Sequence, residues 1–193
     1  MRRNSGKKIY LTTKGRYMLI LSIIFVLIQA LIKCQNKQAL KELAEKPEWK
    51  KTYMTKVLKV IDGDTAEIMF INEAPENCNT TEKVRFIGID TPELNLHNDK
   101  PREYYSEEAF AFTTKELLNQ YVSFQFDKYS DKKDKYGRLI GYIWVDDFLF
   151  NQILIERGFA KYYSNFQFDP KYMKLFEAAE NYARTNKIGM WNY

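Results

Sequence analysis

Residues 60–65 read VIDGDT, and the segment leading into them, Thr55-Lys56-Val57-Leu58-Lys59-Val60, alternates in polarity. Alternation at a period of two marks a half-buried strand, and an Asp-Gly pair is ordinary hairpin chemistry. The expected hairpin runs from Thr55–Ile61 into a return strand over Thr65–Ile71. The turn has no need of its second aspartate. Asp64 stands where the return strand should already be gaining β-branched residues, so it calls for a partner elsewhere in the chain.

Three more segments read as strands: Val84–Ile89, a near-continuous apolar run interrupted by Arg85; the alternating Val122–Phe126; and the β-branched and aromatic Leu139–Val145. Helices fill the gaps. Ser106 is a plausible cap for Ala109–Gln120, Asn151–Arg157 is short with Gly158 to end it, and Asp169-Pro170 is an N-cap with proline at the first helical position. The last helix places Tyr172, Leu175, Phe176, Ala179 and Ala183 on one face, which is core patterning. Five short strands with about three α-helices inserted late predict an α+β domain built on a five-stranded OB-fold barrel.

Four polar clusters fall at or near strand ends, where a barrel can gather them. They are Asp62-Gly63-Asp64-Thr65, Arg85, Asp90-Thr91-Pro92-Glu93 and Asp134-Lys135-Tyr136-Gly137-Arg138. Each alone has a bland explanation as a turn, a strand end or a structural ion pair. Read as one strand, Val84–Asp90 puts Arg85 on a face with Ile87 and Ile89, opposite Asp90. An arginine among isoleucines needs a partner or a pocket. All four clusters in this order are harder to dismiss.

At this point the sequence resembles the staphylococcal nuclease (thermonuclease) family. The resemblance spans about residues 53–192 and rests on KVIDGDT (59–65), VRFIGIDTPE (84–93), EEAFAFTTKELL (107–118), DKYGRLIGYIWV (134–145), ILIERGFAK (153–161) and IGMW (188–191). It implies an OB barrel with three helices and calcium-dependent hydrolysis of DNA and RNA phosphodiesters, leaving 3′-phosphate ends. Carried over by motif, Asp64, Asp90 and the Thr91 carbonyl are implied as Ca2+ ligands, with Asp62 acting from behind them. Glu93 is implied as general base, Arg85 and Arg138 as phosphate-binding guanidinium groups, and Lys135 and Tyr136 as substrate contacts. The family's paired tyrosines after RGFAK are replaced here by Ser164 and Phe166, and the loop Leu94–Tyr105 also departs from the family pattern.

The chemistry asks for such a set independently. A phosphodiester under attack by water gains negative charge, so catalysis is largely charge stabilisation and positioning. A planar guanidinium pairs bidentately with phosphate oxygens. An all-oxygen ligand set suits calcium better than zinc. His97, the single histidine, reads as a solvated loop residue rather than a ligand.

The net charge of +5 is misleading as a guide to partners. Residues 1–33 hold seven basic residues and no acid; removing those seven from 30 leaves 23 against 25 Asp and Glu, about −2 for the remainder. Any grip on nucleic acid must therefore be local. The leader itself, six basic residues before the apolar run Tyr17–Ile32, reads as an export signal or membrane anchor. At 16 residues the run is short of the roughly 20 of a comfortable span, so the mode of anchoring stays open. The expected organisation is a leader over 1–34, a polar stalk over 35–51 and the nuclease-like domain over 52–193. Cys34 and Cys78 suggest neither a zinc site nor a disulfide framework. The alternative to an exported nuclease, for which a monomer suffices, is a non-catalytic OB-fold module that binds nucleic acid or protein. Such modules usually lose the carboxylates and arginines present here.

Overall fold

The hairpin predicted around VIDGDT forms, with strand β1 (Thr52–Asp62) returning antiparallel as β2 (Thr65–Phe70) across the Asp62–Thr65 pair. The computed structural model describes residues 24–25, 27–29, 31–33, 51–95, 100–165 and 167–192. Cys34, His97, Phe166, nearly all of the stalk and much of the Tyr17–Ile32 run lie outside the described residues. The chain divides into two compact units, Met1–Ala39 and Leu40–Tyr193. In the first, residues 24–25, 27–29 and 31–33 are helical. Among the described residues no helix is long and apolar enough to cross a membrane.

In the second unit, β1 is eleven residues long and serves two neighbours. Its first half pairs with β5 (Tyr121–Phe126), and from Thr55 onward it pairs with β2. Register shifts near Lys59 and Asp62 bend it between the two, as bulges do. β2 pairs with β3 (Thr81–Phe86), and β5 pairs with β6 (Leu139–Val145). The parallel pairing of β3 with β6, Arg85 opposite Ile140, closes the order β3-β2-β1-β5-β6 into a five-stranded barrel. That is the OB topology expected from the sequence. Six of the seven β6 residues are buried, so its polarity cannot alternate, and Val57, Ile68, Val84, Phe86, Phe124 and Ile143 are buried in the same core.

Two short pairs extend the plan: β4 (Ile89–Asp90) with β8 (Lys161–Tyr162), and β7 (Phe148–Leu149) with the far end of β6. The predicted strand Val84–Ile89 is thus two strands. Gly88, at φ +73°, turns the chain between them, and a Cβ there would lie 2.5 Å from the Phe168 ring. The side-chain parity assumed across residues 84–90 therefore fails.

Three α-helices pack on the barrel: α1 (Ser106–Leu117), α2 (Phe150–Glu156) and α3 (Pro170–Thr185). Ser106 is the first helical residue rather than the cap, a place taken by Tyr105 at φ 70° with no side-chain cap. Asp169 does cap α3, accepting the Lys171 N–H at 2.9 Å, and the five apolar residues expected to face the core are all buried.

Candidate active site

The Gly88 turn determines what Arg85 meets. It brings Ile89 and Asp90 back over the end of β3, where Arg85 Nη1 donates to the Ile89 carbonyl at 2.8 Å and Nη2 to Asp90 Oδ1 at 2.9 Å. Nη1 also lies 2.9 Å from Asp64 Oδ2. Strand parity put Arg85 and Asp90 on opposite faces; the turn makes them partners. Arg85 is 8% exposed, and a buried guanidinium costs little only when its donors are met, as they are here by two carboxylates and two carbonyls.

Asp64 answers the question posed by the hairpin. One oxygen accepts the Thr65 hydroxyl at 3.0 Å, and the other accepts the Thr91 peptide N–H at 2.9 Å. The carboxylate thereby ties the first hairpin to the end of β4. Gly63 permits the approach: a Cβ there would sit 2.8 Å from the Thr91 hydroxyl. From below, Thr113 of α1 donates to the Gly63 carbonyl at 2.7 Å and fixes the turn on the helix.

Asp62 and Glu93 share a hydrogen bond between their carboxyl groups, and Asp62 Oδ1 also accepts the Gly63 N–H at 2.8 Å. Glu93 as a whole is exposed, but its carboxyl turns in against Asp62. Burial of that end, then the hydrogen bond and the charges of Asp62 and Asp64, push Glu93 up to about 7. Burial likewise raises Asp62 and Asp90; for Asp90 the Arg85 charge works against it, while Asp64, Glu93 and Glu103 add to it. Carboxylates crowded to this degree favour a cation among them.

Arg138 enters from the fourth cluster. Asp134 accepts its Nε–H at 2.7 Å and its peptide N–H at 2.9 Å, and the guanidinium extends to Thr65 at 3.5 Å. A cleft of about 800 Å³ is lined by Arg85, Asp90, Glu93, Lys135, Tyr136 and Arg138, among others. Asp62, Asp64 and Thr91 do not line it; Asp64 and Thr91 are each 3% exposed and lie beneath. Tyr136 is 72% exposed, with the Lys135 amine 5.0 Å from its ring centre.

Among the described residues, no group of three or more His, Cys, Asp and Glu side chains stands ready to hold a metal. The set implied by the sequence needs only two acids, with a backbone carbonyl as third donor. Asp64 and Asp90 both pair with Arg85, and Asp64 accepts the Thr91 N–H, so the two acids and Thr91 are neighbours; as an all-oxygen donor set they are of the kind that suits a hard divalent cation.

A family model described as staphylococcal nuclease homologue matches residues 83–193. The chain belongs to the staphylococcal nuclease family. It is 38% identical over 137 residues to a thermonuclease of Staphylococcus intermedius, covering 70% of this chain and 74% of the relative. It is 34% identical over 162 residues to an uncharacterized protein of Methanocaldococcus jannaschii, covering 73% and 72%. It is also 31% identical over 135 residues to the endonuclease YncB of Bacillus subtilis, covering 69% of this chain and 59% of that one. As a member of the staphylococcal nuclease family it carries Arg85, Asp90, Thr91, Glu93 and Arg138 inside the matched region, while the VIDGDT hairpin precedes it.

Some residues around the site were not singled out from sequence. Glu103 accepts the Glu93 N–H at 3.2 Å, and its own N–H reaches the Glu93 carbonyl at 3.0 Å, closing the base of the divergent loop. Near the departed tyrosine positions, Tyr163 supplies a ring to the cleft, with Asn165 and Gln167 beside it in the lining, while Ser164 is exposed outside it. Phe168, the next ring along this segment, is 1% exposed and belongs to the core. The pairing of Glu103 with Glu93 joins residues ten apart across a loop without periodicity, which leaves no local signal.

Proposed function

We propose that this chain is an exported, calcium-dependent endonuclease that hydrolyses DNA and RNA phosphodiesters with little sequence specificity and leaves 3′-phosphate ends. The observation that carries the reading is the convergence of Arg85, Asp90, Glu93 and Arg138 on one cleft in a member of the staphylococcal nuclease family. Its relatives are named thermonuclease and endonuclease.

In this reading Asp64, Asp90 and the Thr91 carbonyl hold the ion, with Asp62 fixing the turn behind them. Calcium supplies positive charge beside the scissile phosphate and the attacking water. Glu93 accepts the proton of that water, a role supported by its place in the cleft and by its contact with Asp62. Arg85, held by Asp64 and Asp90, and Arg138, aimed by Asp134, neutralise the phosphate oxygens as charge builds on them. Lys135 and Tyr136 contact the substrate beside Arg138. Export is supported by the basic, acid-free leader and agrees with a metal abundant outside cells; membrane attachment through residues 17–32 and a monomeric state complete the reading.

The test incubates the full chain with long single- and double-stranded DNA and RNA, with calcium or with excess chelator, followed by end-group analysis. Calcium-dependent fragmentation with 3′-phosphate ends is expected. Binding of polymer without cleavage in calcium would instead favour a non-catalytic module.

A further inference from the structure

The first half of the loop between β5 and β6 carries one aromatic residue in an otherwise polar run, Asp127-Lys128-Tyr129-Ser130-Asp131-Lys132-Lys133. Tyr129 is 54% exposed, yet it lines the same cleft as Arg85 and Arg138. An exposed ring contributes little to a core, and its apolar face stays hydrated until something covers it.

Its placement is rigid. Asp127, 7% exposed, accepts the Tyr129 peptide N–H at 2.6 Å and the Ser130 N–H at 3.1 Å through one oxygen. Through the other it accepts the Tyr142 hydroxyl at 2.7 Å and the Asp169 N–H at 3.0 Å. The loop is thus pinned to the barrel and to the start of α3. The Lys128 amine lies 5.0 Å from the Tyr129 ring centre, as the Lys135 amine does from Tyr136 in the same cleft. A ring with a cation on it and open apolar surface in a phosphate-binding cleft has the character of a base-stacking platform. Asp131 and Lys133 also line the cleft, the latter drawn to Glu82 at 3.2 Å, so the Tyr129 ring is the apolar surface at this end.

We propose that Tyr129, backed by Lys128, is a stacking platform for an unpaired base of single-stranded nucleic acid whose phosphate lies against Arg138. The proposal rests on the nucleic-acid reading above. It deepens that reading by naming Tyr129 as a residue that binds an unpaired base. In a duplex each base is already stacked and paired, so it offers the platform no free face.

The test is fluorescence anisotropy of the full chain in excess chelator, so that binding is read without cleavage. The probes are a labelled oligothymidylate and a duplex of equal length, titrated against the wild-type protein and the Tyr129→Ala and Tyr129→Phe variants at fixed low salt. Stacking on an aromatic side chain predicts about tenfold weaker single-strand binding for Tyr129→Ala, with Tyr129→Phe close to wild type and duplex binding unchanged. Equal single-strand affinity of Tyr129→Ala and wild type overturns the proposal and leaves the nuclease reading intact. So does an equal loss on duplex, or a Tyr129→Phe variant as weak as Tyr129→Ala. A wild-type protein that binds neither probe overturns the platform too, and calcium-dependent cleavage, assayed separately, then decides the nuclease reading.

Discussion

Asp134 holds Arg138 through both its oxygens, Oδ2 taking the Nε–H at 2.7 Å and Oδ1 the peptide N–H at 2.9 Å. Oδ1 also accepts the Tyr136 N–H at 2.9 Å, so one carboxylate shapes the turn and aims the guanidinium. Burial alone would raise the Asp134 pKa, but these hydrogen bonds hold it below the ordinary carboxylate value. A depressed native pKa contributes stability that is present above the unfolded value and lost as pH falls through the native one. Asp134→Asn is expected to flatten the acid limb of a urea-midpoint series taken from about pH 6 to about pH 3. It should also lower cleavage about a hundredfold by misplacing Arg138.

Glu93 gives the opposite sign. Its native value near 7 lies above the ordinary 4.5, so between those values the native state holds a proton that the unfolded chain has released. The metal-free protein is therefore destabilised by this group as pH rises, with the full cost present above about 7. Glu93→Gln removes the titration. In chelator the variant should melt above wild type at about pH 8 and close to it at about pH 4. Equal melting temperatures at about pH 8 would count against the Asp62–Glu93 contact.

Calcium should act through the same carboxylates. If Asp64 and Asp90 hold the ion, its addition raises the melting temperature of the wild-type chain, by the equivalent of about 2.7 kcal/mol at a hundredfold excess over Kd. Asp64→Asn and Asp90→Asn should each abolish the shift in differential scanning calorimetry. A shift that survives both changes places the ion elsewhere.

Gly63→Ala tests the close packing of the hairpin on the end of β4. The added methyl would lie 2.8–2.9 Å from three atoms of the Thr91 side chain. Overpacking of this kind costs about 1–3 kcal/mol. The expected result is a lower urea midpoint together with a smaller calcium shift, because Thr91 is displaced from Asp64.

The barrel was legible because its signals are local. Alternation gave β1 and β5, the Asp-Gly pair gave the first hairpin, and the Asp169-Pro170 step gave the start of α3. Residues 84–90 misled, since an apolar run carries no mark of where a strand breaks, and the glycine that breaks it sits in the middle of that run. The pairing of β3 with β6 joins Arg85 to Ile140 and has no local signature. The same holds around the site. Asp64, Arg85 and Asp90 announce themselves as charges where strands should be apolar. Asp127, Tyr129 and Glu103 lie in polar loops, where one more polar or aromatic residue is unremarkable until its contacts across the fold are known.

Cleavage of a long DNA polymer in saturating calcium by the folded wild-type, Glu93→Gln and Arg138→Ala proteins tests the catalytic assignment most directly. Each substitution should leave the fold intact and lower the rate by about two to three orders of magnitude, the usual consequence of removing one transition-state donor or a general base. Wild-type cleavage that is calcium-dependent and unchanged in both variants would contradict the assignment of Glu93 and Arg138 to the chemistry.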